Sequence, residues 1–514
     1  MADGFEDRGR EERRRLTRGG LLARNTLLTM GAQGAIIAVQ IAAVPLLIHQ
    51  LGTTRFGVLS LAWVAIGYAG FFDLGLGRAL TKLTAERLGA GLEYEIPRLF
   101  WTAISLLGVL GLVAAAAVAA LSPVLVEGIL NIPANLEQES LITFLMLAGS
   151  LPFVLVSAAL RGSLEARQRF DLTNAIAVPL SFVSYFGPVL MTLISATLPA
   201  AVAALVLSRV LACVVTLALC LRVDPALRSD RRFSRSLAGA LMRFGGWVTA
   251  TALLAPFLAT LDRFVVGVLV SARGVAYYAT PFEAVKQLRV LSMAFSSVLF
   301  PAFATTVGND KERAELLFRR GARGVLLAMF PVSFFCLVFA PEILNVWVGE
   351  EFERNSSGVM QWLAAGILVN GVAFVAYGMV QSSRPDLIFK LHLAELPFYL
   401  LAFWGFISAF GVVGAAIAWT VRVSVDAALL FVVLHRLRMI EVVSALAVAR
   451  PAVLALAVFL IAVQLDDLAV KAVFFCTAIV ALALLAWFRM LERQERNILR
   501  NRLRLLLRPG APVS

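Results

Sequence analysis

Charge is scarce in this chain. Of its 514 residues only 15% are Asp, Glu, Lys or Arg, against roughly 25% in soluble domains. That shortage argues against a fold wetted over its whole surface. Cysteine is rare too. Cys213, Cys220, Cys336 and Cys476 all lie in apolar stretches and form no C-x-x-C pair, so neither a thiolate metal site nor a disulfide framework is expected. The histidines are His49, His392 and His435, too far apart in sequence to suggest a zinc cluster. No G-x-x-x-x-G-K-[ST] run is present, so the chain carries no phosphate-cradling loop of its own to drive it with nucleotide. No connecting loop exceeds about 25 residues on a hydropathy reading, which leaves no room for a separate soluble catalytic domain. The N-terminus lacks a secretory pattern: Arg-rich residues precede an apolar run too long for a signal segment.

Apolar residues are abundant. They make up 60% of the chain, with mean hydropathy +0.85, where a soluble chain has about 45–50%. A polytopic membrane protein follows. Crossing the hydrocarbon core takes about 20 apolar residues, and on that measure the chain is all-α with about 14 transmembrane helices. The expected spans are 25–49, 57–77, 99–122, 140–160, 174–196 and 199–221, then 244–267, 275–301, 323–348, 358–380, 393–410 and 412–434, and a final pair at 450–465 and 470–488. The corresponding domains are a basic tail (1–24), a six-helix bundle (25–221), a linker (222–243), a second six-helix bundle (244–435), an extra helix pair (449–489) and a second basic tail (490–514).

Net charge is +13, yet nucleic acid is not the implied partner. Lys and Arg gather at both tails and in every second connection, while the alternate connections hold only Arg55, Arg273, Arg354 and Lys471. Such an asymmetry places both termini in the cytoplasm and requires an even number of spans. The C-terminal Leu/Arg pattern suits either a helix lying on the anionic inner leaflet or a solvated tail.

The two halves echo each other. "HQLGTTRFGVLSLAW" (49–63) and "GVLVSARGVAYYATP" (267–281) both join consecutive spans, and Arg209 and Arg422 sit inside the sixth and twelfth spans. A near-constant offset implies two parallel repeats, related by a pseudo-two-fold axis along the membrane normal with a cavity between them.

"FGVLSLAWVAIGYAGFFDLGLGRALTKLTAERLG" (56–89) resembles the second-span signature of bacterial polysaccharide flippases, the Wzx-type O-antigen and capsule transporters of the multidrug/oligosaccharidyl-lipid/polysaccharide exporter superfamily. "LRGSLEARQRFDLTN" (160–174) and "RFGGWVTATALLAPFLATLDRFVVG" (243–267) are similar to the same family. The resemblance implies a bacterial inner-membrane carrier rather than an enzyme. Its cargo would be an undecaprenyl-pyrophosphate-linked oligosaccharide moved from the cytoplasmic to the periplasmic leaflet. A coupling ion (H+ or Na+), the bilayer and the glycan polymerase machinery are the other partners to expect, with no cofactor. A cation-coupled drug exporter and a lipid II flippase of that superfamily are the rival functions, and a membrane glycan polymerase or ligase is a more distant one.

Ionisable residues at membrane depth are functional candidates by default. Glu283, Lys286 and Arg289 recur every third residue in span 275–301, so a continuous helix would carry them on an arc of about 120°. Lys286 and Arg289, with Arg209, would then bind pyrophosphate, and Glu283 would hold the cations or answer to a coupling ion. A plain Glu283–Lys286 ion pair and side chains reaching the outer interface are the alternatives. Asp262 and Arg263 suit either a gate or a fixed pair. Asp73 and Arg78 flank "LGLG" and suit either a cavity floor or a local ion pair. Arg422 has Asp426 one turn on, a spacing for a helix-surface pair. Gln33 and Gln40 share one face of the first span, where they can meet sugar hydroxyls or a neighbouring helix. No metal ligand set is expected.

Overall fold

A computed structural model describes residues 19–490 apart from 70–72, 74, 253 and 307–309. Most of both expected tails, and the side chain of Gln33, lie outside the described residues. Every regular element described is a helix. The physical reason is the solvent: hydrocarbon offers no partner to backbone N–H and C=O groups, so each span must satisfy its own. Among the described residues ten helices are long and apolar enough to cross a membrane.

The chain divides into two compact units, Met1–Ala276 and Tyr277–Ser514. The first holds α1 (Gly19–Leu51), α2 (Thr53–Ala69), α3 (Leu76–Gly89), α4 (Ile96–Pro123), α5 (Ala134–Ala166), α6 (Phe170–Ile194), α7 (Leu198–Val223), α8 (Arg235–Ala252) and α9 (Leu254–Leu269). Its core joins Leu80 of α3, Leu99 and Phe100 of α4, and Leu155 and Leu160 of α5. Helices α3 and α5 cross closely because both contribute glycine. A Cβ on Gly162 would stand 2.5 Å from the Gly77 carbonyl oxygen, and the Thr81 hydroxyl donates to the carbonyls of both glycines at 3.1 Å. The polar 222–237 stretch is packed rather than free. Leu227 is fully buried, and the Trp101 indole donates to its carbonyl at 2.7 Å.

Helix α10 (Ala272–Lys286) runs into the second unit, followed by α11 (Arg289–Thr306), α12 (Lys311–Val338), α13 (Ala340–Val348), α14 (Glu350–Ser383), α15 (Pro385–Arg436), α16 (Val442–Ala462) and α17 (Leu468–Leu485). Helix α14 lies at the centre of this unit, with Val359, Leu363 and Met379 fully buried. The last two helices dock through aromatic rings. Phe334 of α12 stacks on Phe459 at 5.3 Å and on Phe475 at 5.6 Å. Lys471 adds an ion pair to Glu342 at 2.7 Å.

Two features depart from straight spans. The 51-residue apolar stretch from Asp386 to Arg436, charged residues included, would extend about 77 Å as one helix, more than twice the hydrocarbon thickness. Gly411 resolves this: its φ of 56° and ψ of −135° are non-helical, and they fold α15 into a hairpin of two arms, before and after residue 411. The spans expected at 393–410 and 412–434 meet at that residue. Conversely, span 275–301 is not one continuous helix. Helix α10 ends at Lys286, Gln287 and Leu288 form a turn, and α11 starts at Arg289. The other expected spans that fall short of the ten are 57–77, divided between α2 and α3, and 244–267, which follows α8 and α9.

Candidate functional site

The interruption at 287–288 lies among the three charges that mark this segment in sequence, so they do not share one regular helical arc. Short-range bonds tighten the turn: the amides of Gln287 and Leu288 donate to Ala284 and Val285 at 3.3 and 3.1 Å. Lys286, the last residue of α10, forms an ion pair with Glu283. Glu283 is 8% exposed, and Gln287 donates to its carbonyl at 3.2 Å. Arg289, the first residue of α11, is exposed and has no hydrogen bond or ion pair among the described residues. The face below it is occupied by packing: Ser292 is buried against the Met329 sulfur at 2.8 Å, and Ser296 faces Gly378 of α14.

Arg289 lies within electrostatic range of a second cation, Arg422, which comes from the second arm of α15. Sequence spacing pairs Arg422 with Asp426. In the structure its ion pair is instead with Glu395 of the first arm, at 3.8 Å, and its guanidinium stands 5.3 Å over the Tyr399 ring. Asp426 faces His392, also on the first arm, at 3.6 Å. His392, Glu395 and Asp426 are 9%, 7% and 7% exposed. One donor atom from each lies within 4.8 Å of the others. The Tyr377 ring of α14 covers His392 with 6.3 Å between centroids. A cavity of about 250 Å³ opens beside Glu395, Tyr399 and Arg422, its other walls apolar.

His392 and Glu395 are the residues that sequence reasoning missed. The histidine looked isolated because its partner is 34 positions away. The available signal was an acid inside an apolar run, "LHLAELPFYL", three residues after a histidine. That spacing puts both on one face of a helix.

In the first unit Arg209 of α7 is half-buried. It donates to the Ser184 hydroxyl of α6 at 3.2 Å, and its Nε has no hydrogen-bond partner among the described residues. Trp63 of α2 donates to the Ser184 carbonyl at 3.2 Å and packs on Tyr185 at 5.4 Å. Arg161 is a second cation in electrostatic range of Arg209. Asp73 does not form the local ion pair with Arg78. Its carboxylate instead accepts the Gly75 amide at 2.9 Å, shaping a turn whose glycine has φ 65°, and Arg78 is exposed. Asp262 and Arg263 are 1% and 3% exposed, with the Arg263 amide donating to the Asp262 carboxylate at 2.9 Å. Gln40 is also buried, at 5%. The structure thus puts Arg289 and Arg422 within electrostatic range of each other in the second unit and pairs Lys286 with Glu283.

Residues 49–357 match the family described as polysaccharide biosynthesis protein. Over 393 residues the chain is 30% identical to a protein of Shigella flexneri named as an O-antigen transporter, covering 75% of this chain and 90% of that one. It is 23% identical over 228 residues to a protein of Haloferax volcanii named as a low-salt glycan biosynthesis flippase, covering 44% and 48%. Among solved structures, the lipid II flippase MurJ in an inward closed conformation superposes with a TM-score of 0.69 at 12% identity, over 91% of this chain and 100% of that one. An inward-facing multidrug resistance transporter of the MATE family gives 0.65 at 15% identity, over 79% and 94%. At those identities the two structures establish a shared fold.

Proposed function

The chain belongs to the polysaccharide biosynthesis protein family, and on that premise we propose that it is a flippase that carries a lipid-linked oligosaccharide across the bilayer for surface polysaccharide synthesis. The cargo is an undecaprenyl-pyrophosphate-linked glycan, moved from the cytoplasmic to the periplasmic leaflet by alternating access around a cationic cavity. The protein acts as a carrier without bond chemistry. It sits in a bacterial inner membrane with both termini cytoplasmic, an orientation supported by the Lys/Arg asymmetry of its connections. Its two parallel repeats are six-helix bundles, 25–221 and 244–435, and it feeds the glycan polymerase machinery.

One observation carries this reading. Arg289 opens a half-helix at membrane depth with no anionic partner among the described residues, and Arg422 is in electrostatic range of it. Two like charges held near each other repel; an arriving diphosphate relieves that repulsion. Arg provides a planar fork for phosphate oxygens, and broken helices mark binding sites in transporters of several folds. Lys286, already neutralised by Glu283, contributes after that pair opens. Arg209 plays the corresponding part in the first unit.

The test is leaflet sidedness of labelled lipid-linked oligosaccharide in cells lacking the protein. Accumulation on the cytoplasmic face, reversed by the wild-type chain and not by the Lys286→Ala/Arg289→Ala variant, is the expected result. Normal surface glycan with that variant as the only copy would sink the assignment. Drug hypersensitivity of the deletion strain with intact surface glycan would replace it with drug export.

A further inference from the structure

The hairpin of α15 gathers more negative than positive charge at membrane depth. Glu395 and Asp426 are both more than nine-tenths buried. Among the described residues neither Glu395 oxygen accepts a hydrogen bond, nor does Asp426 Oδ1, although the two carboxyl groups face each other. Two carboxylates are acceptors only, so such a contact becomes favourable when one of them holds a proton. Arg422 supplies a single positive charge, 3.8 Å from Glu395. Counted over Glu395, Asp426 and Arg422, the cluster lacks one positive charge.

The missing charge is +1, which selects the ligand. A divalent metal ion would overshoot and sit beside Arg422. Sodium prefers an all-oxygen shell, whereas one of the three converging atoms here is an imidazole nitrogen, a better match to softer ions and to protons. A proton needs no coordination shell and suits all three donors. The other groups facing the cluster are Tyr399 on the same arm as Glu395, Tyr377 on α14, and Arg289 on α11, which acts through Arg422. None of them supplies the second acid-neutralising charge at contact distance.

We propose that Glu395, Asp426 and His392 form a proton-binding site, and that loading it releases Arg422 from Glu395 toward the phosphate of the cargo. A hydronium ion gives up its proton to a Glu395 oxygen: one of its O–H bonds breaks, one O–H bond forms on the carboxyl group, and water is released. Glu395 becomes neutral and shares that proton with Asp426 or His392, and Arg422 loses its anion. In the unloaded state Arg422 is held by Glu395 and competes poorly for phosphate. Proton uptake and cargo binding are thereby linked through one arginine. The release step rests on the flippase reading; the proton site itself does not.

Two measurements on the full chain separate these. The first is pH-difference infrared spectroscopy of the protein in liposomes without cargo. A protonated-carboxyl carbonyl band that titrates, disappears in Glu395→Gln and shifts its midpoint in His392→Gln is expected. A spectrum unchanged by Glu395→Gln overturns the site, and so does a band that appears only on sodium removal. The second is flipping of a labelled lipid-linked oligosaccharide in proteoliposomes. The wild-type rate should vary by up to about tenfold per pH unit through the titration, and Glu395→Gln, which keeps shape and removes the charge, should flatten that dependence. A wild-type pH profile in Glu395→Gln overturns the coupling while leaving the flippase reading intact. A protein that titrates but moves no lipid-linked glycan retires the flippase reading and leaves the proton site standing.

Discussion

Arg422 and Glu395 meet at 3.8 Å from opposite arms of a hairpin whose turn is Gly411. The pair, together with His392 and Asp426, ties the two arms at membrane depth. It also commits the only cation of the cluster to one of two acids. The arrangement is therefore structural and adjustable at once: the hairpin needs the arginine, and the arginine can be exchanged for a proton.

Replacing Arg422 with Ala should destabilise the protein by about 3–5 kcal/mol, because it leaves a buried carboxylate without its counter-charge. Combining it with Glu395→Gln should recover most of that loss, since the orphaned charge is then gone. Thermal unfolding in detergent of the two single variants and the double variant reads this directly. Simple additivity would show that the two residues do not interact.

This pair shows what was legible. The two spans and their junction at Gly411 can be read from apolar runs and a single glycine. The pairing cannot. Arg422 and Asp426 are spaced to face each other on one helix, but each has a closer claim from the opposite arm, and tertiary packing decides. The break at 287–288 was equally hidden. Gln287 and Leu288 are ordinary helix formers, so nothing local announces a turn there, and periodicity alone put three charges on one smooth arc.

Arg289 and Lys286 should separate in their effects. Arg289→Ala removes a side chain with no partner among the described residues, so unfolding temperature should stay near wild type while flipping and surface glycan fall at least tenfold. Lys286→Ala removes the lysine held by buried Glu283, so it should lower stability by about 1 kcal/mol as well as transport. Surface glycan measured alongside detergent melting resolves the two. Equal melting losses for both would contradict the geometry.

The α3–α5 crossing should not tolerate a methyl group. Gly162→Ala places a Cβ 2.5 Å from a backbone oxygen and 2.8 Å from the Thr81 hydroxyl, which costs about 1–3 kcal/mol unless the helices separate. Gly149→Ala on the same helix meets nothing within 4 Å and should be neutral or slightly stabilising, since Ala favours helix over Gly. Melting temperatures of the two variants, in the same detergent, make the comparison.

Arg209 offers the complement to Arg422. The two are 213 positions apart, and each has a tyrosine beside it, Tyr185 for Arg209 and Tyr399 for Arg422. The difference is the acid. Glu395 holds Arg422, whereas among the described residues Arg209 donates only to the Ser184 hydroxyl, which itself donates to the Leu180 carbonyl at 2.7 Å. Removing Arg209 thus strands no charge, and Arg209→Gln should cost at most about 1 kcal/mol. If Arg209 serves phosphate, the same substitution should cut flipping sharply, and Arg209→Lys should restore part of it, keeping the charge but losing the fork. Stable protein with wild-type flipping in Arg209→Gln would remove the first unit's cation from the transport mechanism and leave the work to Arg289 and Arg422.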